Sequence, residues 1–293
     1  MSLRPRDWIL AARPKTLIAA VAPVAVGTAL AWQHTGRIIW IWSILALTGA
    51  LLIQIATNLV NDAIDFEKGT DDHTRVGPAR VTASGLIEGR RVMTGAWVCF
   101  AAAAAAGIPL LIRGGWPLLA IGLASIAAGY IYTGGPWPLA YNGMGEIFVI
   151  AFFGLVAVGG TYYLQTLTWG ADAALGGLAV GMLSTVLLGV NNLRDMEGDA
   201  RTAKRTLAVR FGRNFAIGEI ALFALAPLAL GAWWAARGEL AAALLPLALL
   251  PLVISIIRSA RTERGSSLNA TLGKSAALQA GYGLLFSLGL VLG

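Results

Sequence analysis

Stretches of apolar residues close to the length that crosses a lipid bilayer recur from one end of this chain to the other. They constrain its fold more than any other feature. Nine such runs can be read: 16–32, 38–57, 93–112, 116–132, 145–164, 173–190, 215–236, 240–257 and 275–292. A spanning helix needs about 20 mainly apolar residues. The runs are continuously apolar and do not alternate, which selects helices over the strands of a membrane barrel. Charge is scarce as well: 13% of residues are Asp, Glu, Lys or Arg, about half the ~25% of a soluble domain. The expected architecture is an all-α integral membrane protein, a single bundle of nine transmembrane helices with two Asp-rich loops. Cys99 is the lone cysteine, so no disulfide framework exists and a small buried hydrophobe is its simplest reading.

The basic residues orient the bundle. All but Arg37, Arg113 and Arg237 of the 22 Lys and Arg fall before the first run, in 58–92, in 191–214 or in 258–274. These segments share one side if each run crosses once. Cytoplasmic loops carry the excess of Lys and Arg, so the expected location is the inner (cytoplasmic) membrane, multi-pass, with the N-terminus and both Asp-rich segments cytoplasmic. Topology thus accounts for most of the +7 formal charge, and no nucleic-acid partner is expected.

Two polar islands interrupt this economy of charge. Asn58-Leu-Val-Asn61-Asp62-Ala-Ile-Asp65-Phe-Glu67-Lys68-Gly69-Thr-Asp71-Asp72 follows the second run, and Asn191-Asn192-Leu-Arg194-Asp195-Met-Glu197-Gly-Asp199 follows the sixth. The sets Asn58, Asp62, Asp65 and Asn191, Asp195, Asp199 are spaced to line one helical face. Each island follows the second run of a four-run group, which suggests a pseudo-repeat of four-helix units, roughly 1–140 and 141–260, plus a final helix. Such repeats place a shared site where the halves meet.

Carboxylates at membrane helix ends are costly to bury unless paired, hydrated or metal-bound. A solvated helix end is the plainer alternative, although acidic residues contribute little to orientation. Oxygen ligands without nearby Cys point to a hard cation, and Mg²⁺ suits a few carboxylates shared with phosphate oxygens. His73 reads as a solvated loop residue. Lys68, Arg75 and Arg80 follow the first island, and Arg194, Arg201, Lys204 and Arg205 surround the second. Carboxylate-held metal together with Arg and Lys is what a departing diphosphate needs, while topology alone explains any one of these cations about as well. The aromatic stretch from Tyr130 to Tyr141 reads either as an interfacial belt or as a pocket wall whose ring faces stabilise a cation. Tyr132 is its leading candidate.

These segments together resemble the UbiA superfamily of intramembrane prenyltransferases. The two Asp-rich motifs correspond to Asn61-Asp62-x-x-Asp65 and Asp195-x-x-x-Asp199. Four further stretches are most similar to the branch that prenylates 1,4-dihydroxy-2-naphthoate in menaquinone synthesis. They are Asp65-Phe-Glu-Lys-Gly69-Thr-Asp71, Gly77-Pro-Ala-Arg80-Val-Thr-Ala-Ser84-Gly85, Tyr132-Thr-Gly-Gly-Pro136 and Lys204-Arg205-Thr206-Leu-Ala-Val-Arg210-Phe-Gly212. The resemblance implies nine helices and transfer of a polyprenyl group from polyprenyl diphosphate to 1,4-dihydroxy-2-naphthoate, with loss of pyrophosphate and carbon dioxide. It implies Mg²⁺ on Asp62, Asp65, Asp71, Asp195 and Asp199, with Tyr132 beside the reacting carbon. Asn58, Asn61, Lys68, Arg75, Arg80, Ser84, Asn192, Arg201, Lys204 and Arg205 are then expected to bind substrate.

Two departures are visible. Pro136 stands where many superfamily members carry the Lys of a Tyr-x-x-x-Lys motif, which leaves Lys204 or an Arg to replace it. Gly69 stands where a third Asp is usual, with Asp71 two residues later, and this speaks against a 4-hydroxybenzoate enzyme. Prenyl transfer to homogentisate or 4-hydroxybenzoate is the nearest alternative. A cation-coupled transporter is the alternative from another class, although transporter sites usually lie near the midplane and these islands lie at span ends.

Overall fold

The computed structural model of the protein describes residues 4–70, 76–202 and 204–293. Ten principal helices run through it. A short amphipathic α1 (Pro5–Ala12) leads through the turn Pro14–Thr16 into α2 (Ile18–Thr35), and the chain bends by 50° between them. There follow α3 (Trp40–Glu67), α4 (Gly89–Gly114), α5 (Trp116–Ile131), α6 (Gly145–Thr166), α7 (Ala171–Arg201), α8 (Leu207–Ala236), α9 (Leu240–Thr262) and α10 (Gly265–Leu292).

Among the described residues, seven helices are long and apolar enough to cross a membrane: α3, α4 and α6 to α10. The bent pair α1–α2 makes an eighth if it counts as one span, and α5 is a shorter apolar helix. The chain is thus an all-helical, multi-span membrane protein. Its outward surface agrees: Trp40, Val98, Ile112, Leu123 and Leu284 are exposed, as lipid-facing side chains are.

Two helices run farther than their apolar stretches predict. α3 continues ten residues past Thr57 to Glu67, and α7 continues past Val190 to Arg201. The first island is therefore helical as far as Glu67 and the second throughout, and Asp62, Asp65, Asp195 and Asp199 lie on helices rather than in loops. Continuous i to i−4 hydrogen bonding satisfies the backbone as each helix leaves its apolar stretch, which favours prolonging the helix over breaking it.

The buried core divides into two lobes. The smaller joins α1, α3 and α4 with Val81 and Ile87 of the 80–87 turn. The larger joins α2 with α6 to α10 around Trp234, Tyr282 and Phe286. In the larger lobe α6 and α7 touch backbone to backbone. A Cβ on Gly154 would lie 2.3 Å from the Gly177 carbonyl oxygen and 2.8 Å from Gly181 Cα. Close approach of this kind is what small residues permit between membrane helices. It coincides with a π-helical turn in α6 at Ala151–Val156, a deviation frequent at functional sites. The space left between the lobes holds the candidate site.

Candidate active site

Two connected chambers occupy that space. The deeper encloses ≈ 340 Å³ and is lined chiefly by small and apolar residues of α2 to α7, including Ala46, Gly107, Phe148 and Phe152. The other encloses ≈ 430 Å³ at the end of the bundle where α3 and α7 finish, and charged and polar residues line much of it. The chambers meet at a collar shared by Arg13, Thr16, Asn61, Tyr132, Leu187, Leu188 and Asn191. Asp65 and Asp195 both line the polar chamber, so the islands come to one site from opposite core lobes.

The first island divides its two carboxylates between tasks. Asp65, three residues after Asp62, reaches the chamber, accepts a hydrogen bond from the Tyr141 hydroxyl at 2.8 Å and lies 4.0 Å from Arg80. Asp62, 1% exposed, turns away and accepts the backbone N–H groups of Thr82 (3.0 Å) and Val81 (3.2 Å). The expectation that both would share one face is thus not met, because about 100° per residue leaves positions three apart about 60° out of line. Asp62 instead pins the 80–87 turn to α3. Val81 and Ile87 anchor that turn in the core, while Gly85 closes it at φ +66. The turn in turn delivers Arg80, 8% exposed, to the chamber wall.

The second island differs. Arg194 donates two hydrogen bonds to its neighbour Asp195, at 2.7 and 2.6 Å, and a third to Asn269 at 3.0 Å. Asp199 is buried, 3.3 Å from Lys204 through Oδ1, while its Oδ2 has no hydrogen-bond partner among the described residues. Negative charge near a helix C-terminus is unfavourable, and these cations offset it. Glu146, at the start of α6, accepts a 3.0 Å hydrogen bond from Asn192 and lines the same chamber.

Tyr141 ties the islands together. Its hydroxyl joins Asp65 and Thr70, its carbonyl accepts the Arg205 backbone N–H, and its ring lies 4.5 Å from Lys68 Nζ and 5.8 Å from Lys204 Nζ. Burial, then the Asp65 charge, pushes its phenol well above the ordinary value. Removal from water lowers the Lys68 ammonium, against the opposing pull of Asp65 and Glu67.

Of the residues expected from sequence, Asn61, Asp65, Arg80 and Tyr132 line the polar chamber, as do Asn192, Asp195 and Lys204. Asn58 lines the deeper chamber and binds the α1–α2 bend. Lys68 caps α3 and donates to the Thr133 carbonyl at 2.8 Å. Ser84, Arg201 and Arg205 are exposed and line neither chamber. Asp71 and Arg75 lie outside the described residues. Sequence reasoning passed over Arg13 and Glu146. Glu146 had a signal, an acid at the edge of an apolar run, whereas Arg13 was absorbed into the charge count.

Among the described residues, no three His, Cys, Asp or Glu side chains form a ready cation cage. The donors nevertheless suit a hard cation whose coordination a substrate completes. Asp65 and Asp195 flank the chamber, both charges act on Asp199, and the buried Asp199 Oδ2 is unpartnered.

The UbiA prenyltransferase family model matches residues 20–281. A 1,4-dihydroxy-2-naphthoate octaprenyltransferase of Mycobacterium tuberculosis is 44% identical over 207 residues, 70% of each chain. One from Escherichia coli is 39% identical over 215 residues, covering 71% of this chain and 70% of that one. A UbiA homologue from Archaeoglobus fulgidus, solved bound to DMAPP and Mg²⁺, superimposes with a TM-score of 0.64 at 16% identity, covering 96% of this chain and 99% of that one. An apo UbiA homologue from Aeropyrum pernix reaches 0.69 at 16% identity, with 94% and 97% covered. Sequence and fold agree, and the chain belongs to the UbiA prenyltransferase family.

Proposed function

We propose that this protein transfers a polyprenyl group from polyprenyl diphosphate to 1,4-dihydroxy-2-naphthoate, releasing pyrophosphate and carbon dioxide and giving demethylmenaquinol. The observation that carries this reading is the junction of a charged chamber with an apolar one at Tyr132 and Asn61. It matches a donor with a diphosphate head and a hydrocarbon tail. The curated relatives of this chain named for this activity support the acceptor.

Asp65, Asp195 and Asp199 would hold Mg²⁺ at the polar chamber, as the magnesium in the archaeal homologue suggests. A cation there neutralises charge developing on the leaving pyrophosphate. Arg80, Arg194 and Lys204 add hydrogen-bonding positive charge to the same head group, with Lys204 in the place of the missing motif lysine. The allylic C–O bond breaks with its electron pair leaving on pyrophosphate, and the Tyr132 ring faces the cationic carbon. The carboxylate-bearing ring carbon attacks, a C–C bond forms, and the carboxylate leaves as carbon dioxide while its bonding pair restores aromaticity. Asp62 acts at one remove, holding the turn that presents Arg80. Asn61 and Asn192 orient groups at the chamber wall.

The path of α5 supports nine crossings. It begins at the far end with Trp116 and returns to Tyr132, at the chamber that Asp65 lines. Its 16 residues rise about 24 Å, short of the ~30 Å hydrocarbon core, a mismatch bilayers accommodate at modest cost. The close pairing of α3 with α4 and of α7 with α8, at matching places in the two halves, supports the four-helix pseudo-repeat. The Lys and Arg asymmetry supports a cytoplasmic polar chamber in the inner membrane.

Magnesium-dependent pyrophosphate release from detergent-solubilised protein, with dihydroxynaphthoate and a series of prenyl diphosphates, tests the assignment. Homogentisate and 4-hydroxybenzoate serve as rival acceptors. Release that needs no acceptor, or that prefers a rival, would overturn it.

A further inference from the structure

The cations around the chambers divide by position. Arg80, Arg194 and Lys204 each stand against an island carboxylate, Asp65, Asp195 and Asp199 respectively, and line the polar chamber alone. Arg13 is placed differently: among the described residues it is the cation that lines both chambers. It therefore stands at the collar where the head of a prenyl diphosphate gives way to its tail, which is where the reacting carbon lies.

The chain takes an uncommon path to put it there. Arg13 has φ 52 and ψ 69, a left-handed conformation few non-glycine residues adopt. Surrounding contacts hold it. Asn58 Nδ2 donates to the Ala12 carbonyl and to Thr16 Oγ1, both at 2.9 Å, and Arg13 Nη2 donates to the Asn58 carbonyl at 3.3 Å. Persistent strain fixed by its surroundings is a feature of binding sites.

One turn before Asn58, Gln54 is 8% exposed and lines the deeper chamber. Its amide oxygen has no hydrogen-bond partner among the described residues. Its amide nitrogen lies at 3.5 Å, the limit of hydrogen-bond reach, from Thr16 Oγ1 and Asn58 Oδ1. A buried acceptor without a donor is unfavourable, and a hydrocarbon tail has no donor to offer. The collar thus presents a guanidinium and the Tyr132 ring and, deeper, an unmatched oxygen. That combination recognises a flat molecule carrying an anion at one edge and a hydroxyl at another.

We propose that Arg13 and Gln54 form the acceptor subsite, the guanidinium binding the carboxylate of a hydroxyaromatic acid and the amide oxygen accepting a hydrogen bond from a ring hydroxyl. This rests on the prenyl-transfer reading above and assigns the acceptor's half of that site. Separate anchoring follows: the cations confined to the polar chamber take the diphosphate, and Arg13, at the collar, takes the carboxylate that later leaves as carbon dioxide.

Steady-state kinetics with the detergent-solubilised full chain tests it, the Michaelis constant being measured separately for dihydroxynaphthoate and for prenyl diphosphate. The methyl ester of dihydroxynaphthoate, which lacks the anion, is the competing probe. R13Q should raise the acceptor constant about tenfold or more, the weight of a charged hydrogen-bonded contact, and leave the donor constant within about twofold. It should also abolish the wild-type preference for acid over ester, a readout that a purely structural role would not move. R13K should restore part of that preference. Q54L should weaken acid and ester alike, because it reads the hydroxyl. An unchanged acceptor constant in R13Q and Q54L, or a rise confined to the donor, overturns the subsite while leaving the transferase reading intact. A wild-type protein that makes no product from dihydroxynaphthoate overturns both.

Discussion

The two islands look alike in sequence and behave differently in the folded protein. Each places Asn and Asp residues near the end of a helix, and each helix outruns its apolar stretch. In the first, Asp62 is fully matched by two backbone N–H groups and serves the fold, while Asp65 alone faces the chamber. In the second, Asp195 is clasped by Arg194, and Asp199 keeps a buried oxygen without a partner. Asp62 is held by backbone N–H groups of the turn it mounts, whereas Asp65 and Asp195 meet side chains at the chamber wall. The kind of partner distinguishes the carboxylates, and motif membership does not.

This contrast can be broken most directly at Asp199. D199N, and likewise D65N, should lower magnesium-dependent pyrophosphate release by about 10²–10³-fold, the scale of losing one electrostatic contact to a developing charge. Thermal unfolding in detergent should be little changed. An active D199N protein would remove the unmatched oxygen from the argument.

D62A should behave in the opposite way. Two charge-assisted hydrogen bonds to backbone vanish, each worth about 1.5–3 kcal/mol. The unfolding temperature should therefore fall, and activity should drop about tenfold as Arg80 loses its mounting. A D62A protein as stable as wild type but wholly inactive would place Asp62 among the metal-holding residues after all.

Y141F sharpens the link between the islands. Losing one neutral donor to a carboxylate should cost several-fold in activity, seen as weaker magnesium activation. Its phenol is raised above the ordinary value of 10.0, so the stability that its protonated form contributes is complete below that pH. It is lost as pH rises further, and Y141F should soften alkaline loss of stability.

The smallest effect belongs to the residues that sequence proximity nominated and the fold did not use. R201A and S84A should stay within about twofold of wild-type turnover, because both side chains are exposed and line neither chamber.

Much of the architecture was legible because membrane helices announce themselves in composition. The runs at 38–57 and 173–190 mark α3 and α7, and the polar residues after them mark the site end. The helix limits were less legible, since hydropathy drops where the residues become polar and the hydrogen-bonded helix goes on. The backbone partners of Asp62 were not legible because they lie 19 and 20 residues away, in a turn that only the fold brings back. Arg13 was invisible for the same reason, and because an Arg before a first span is already explained by topology. Tyr132 and Lys204 were nominated from sequence, and both line the polar chamber.

The glycines of the bundle carry a last consequence, for anyone wishing to retune the enzyme. Along the α6–α7 seam, Gly154, Gly177 and Gly181 leave no room for even a methyl group. The spacing of that helix pair, which carries part of the deep chamber's wall, is set by backbone contact and resists redesign. Across the cavity, Gly107 and Gly122 line the same chamber, and a Cβ on either would meet nothing within 4 Å. These two positions are open to enlargement. Progressive enlargement there, G107A then G107L, is the available route to a shorter preferred prenyl chain, while the opposite face sets the fixed datum from which length is measured.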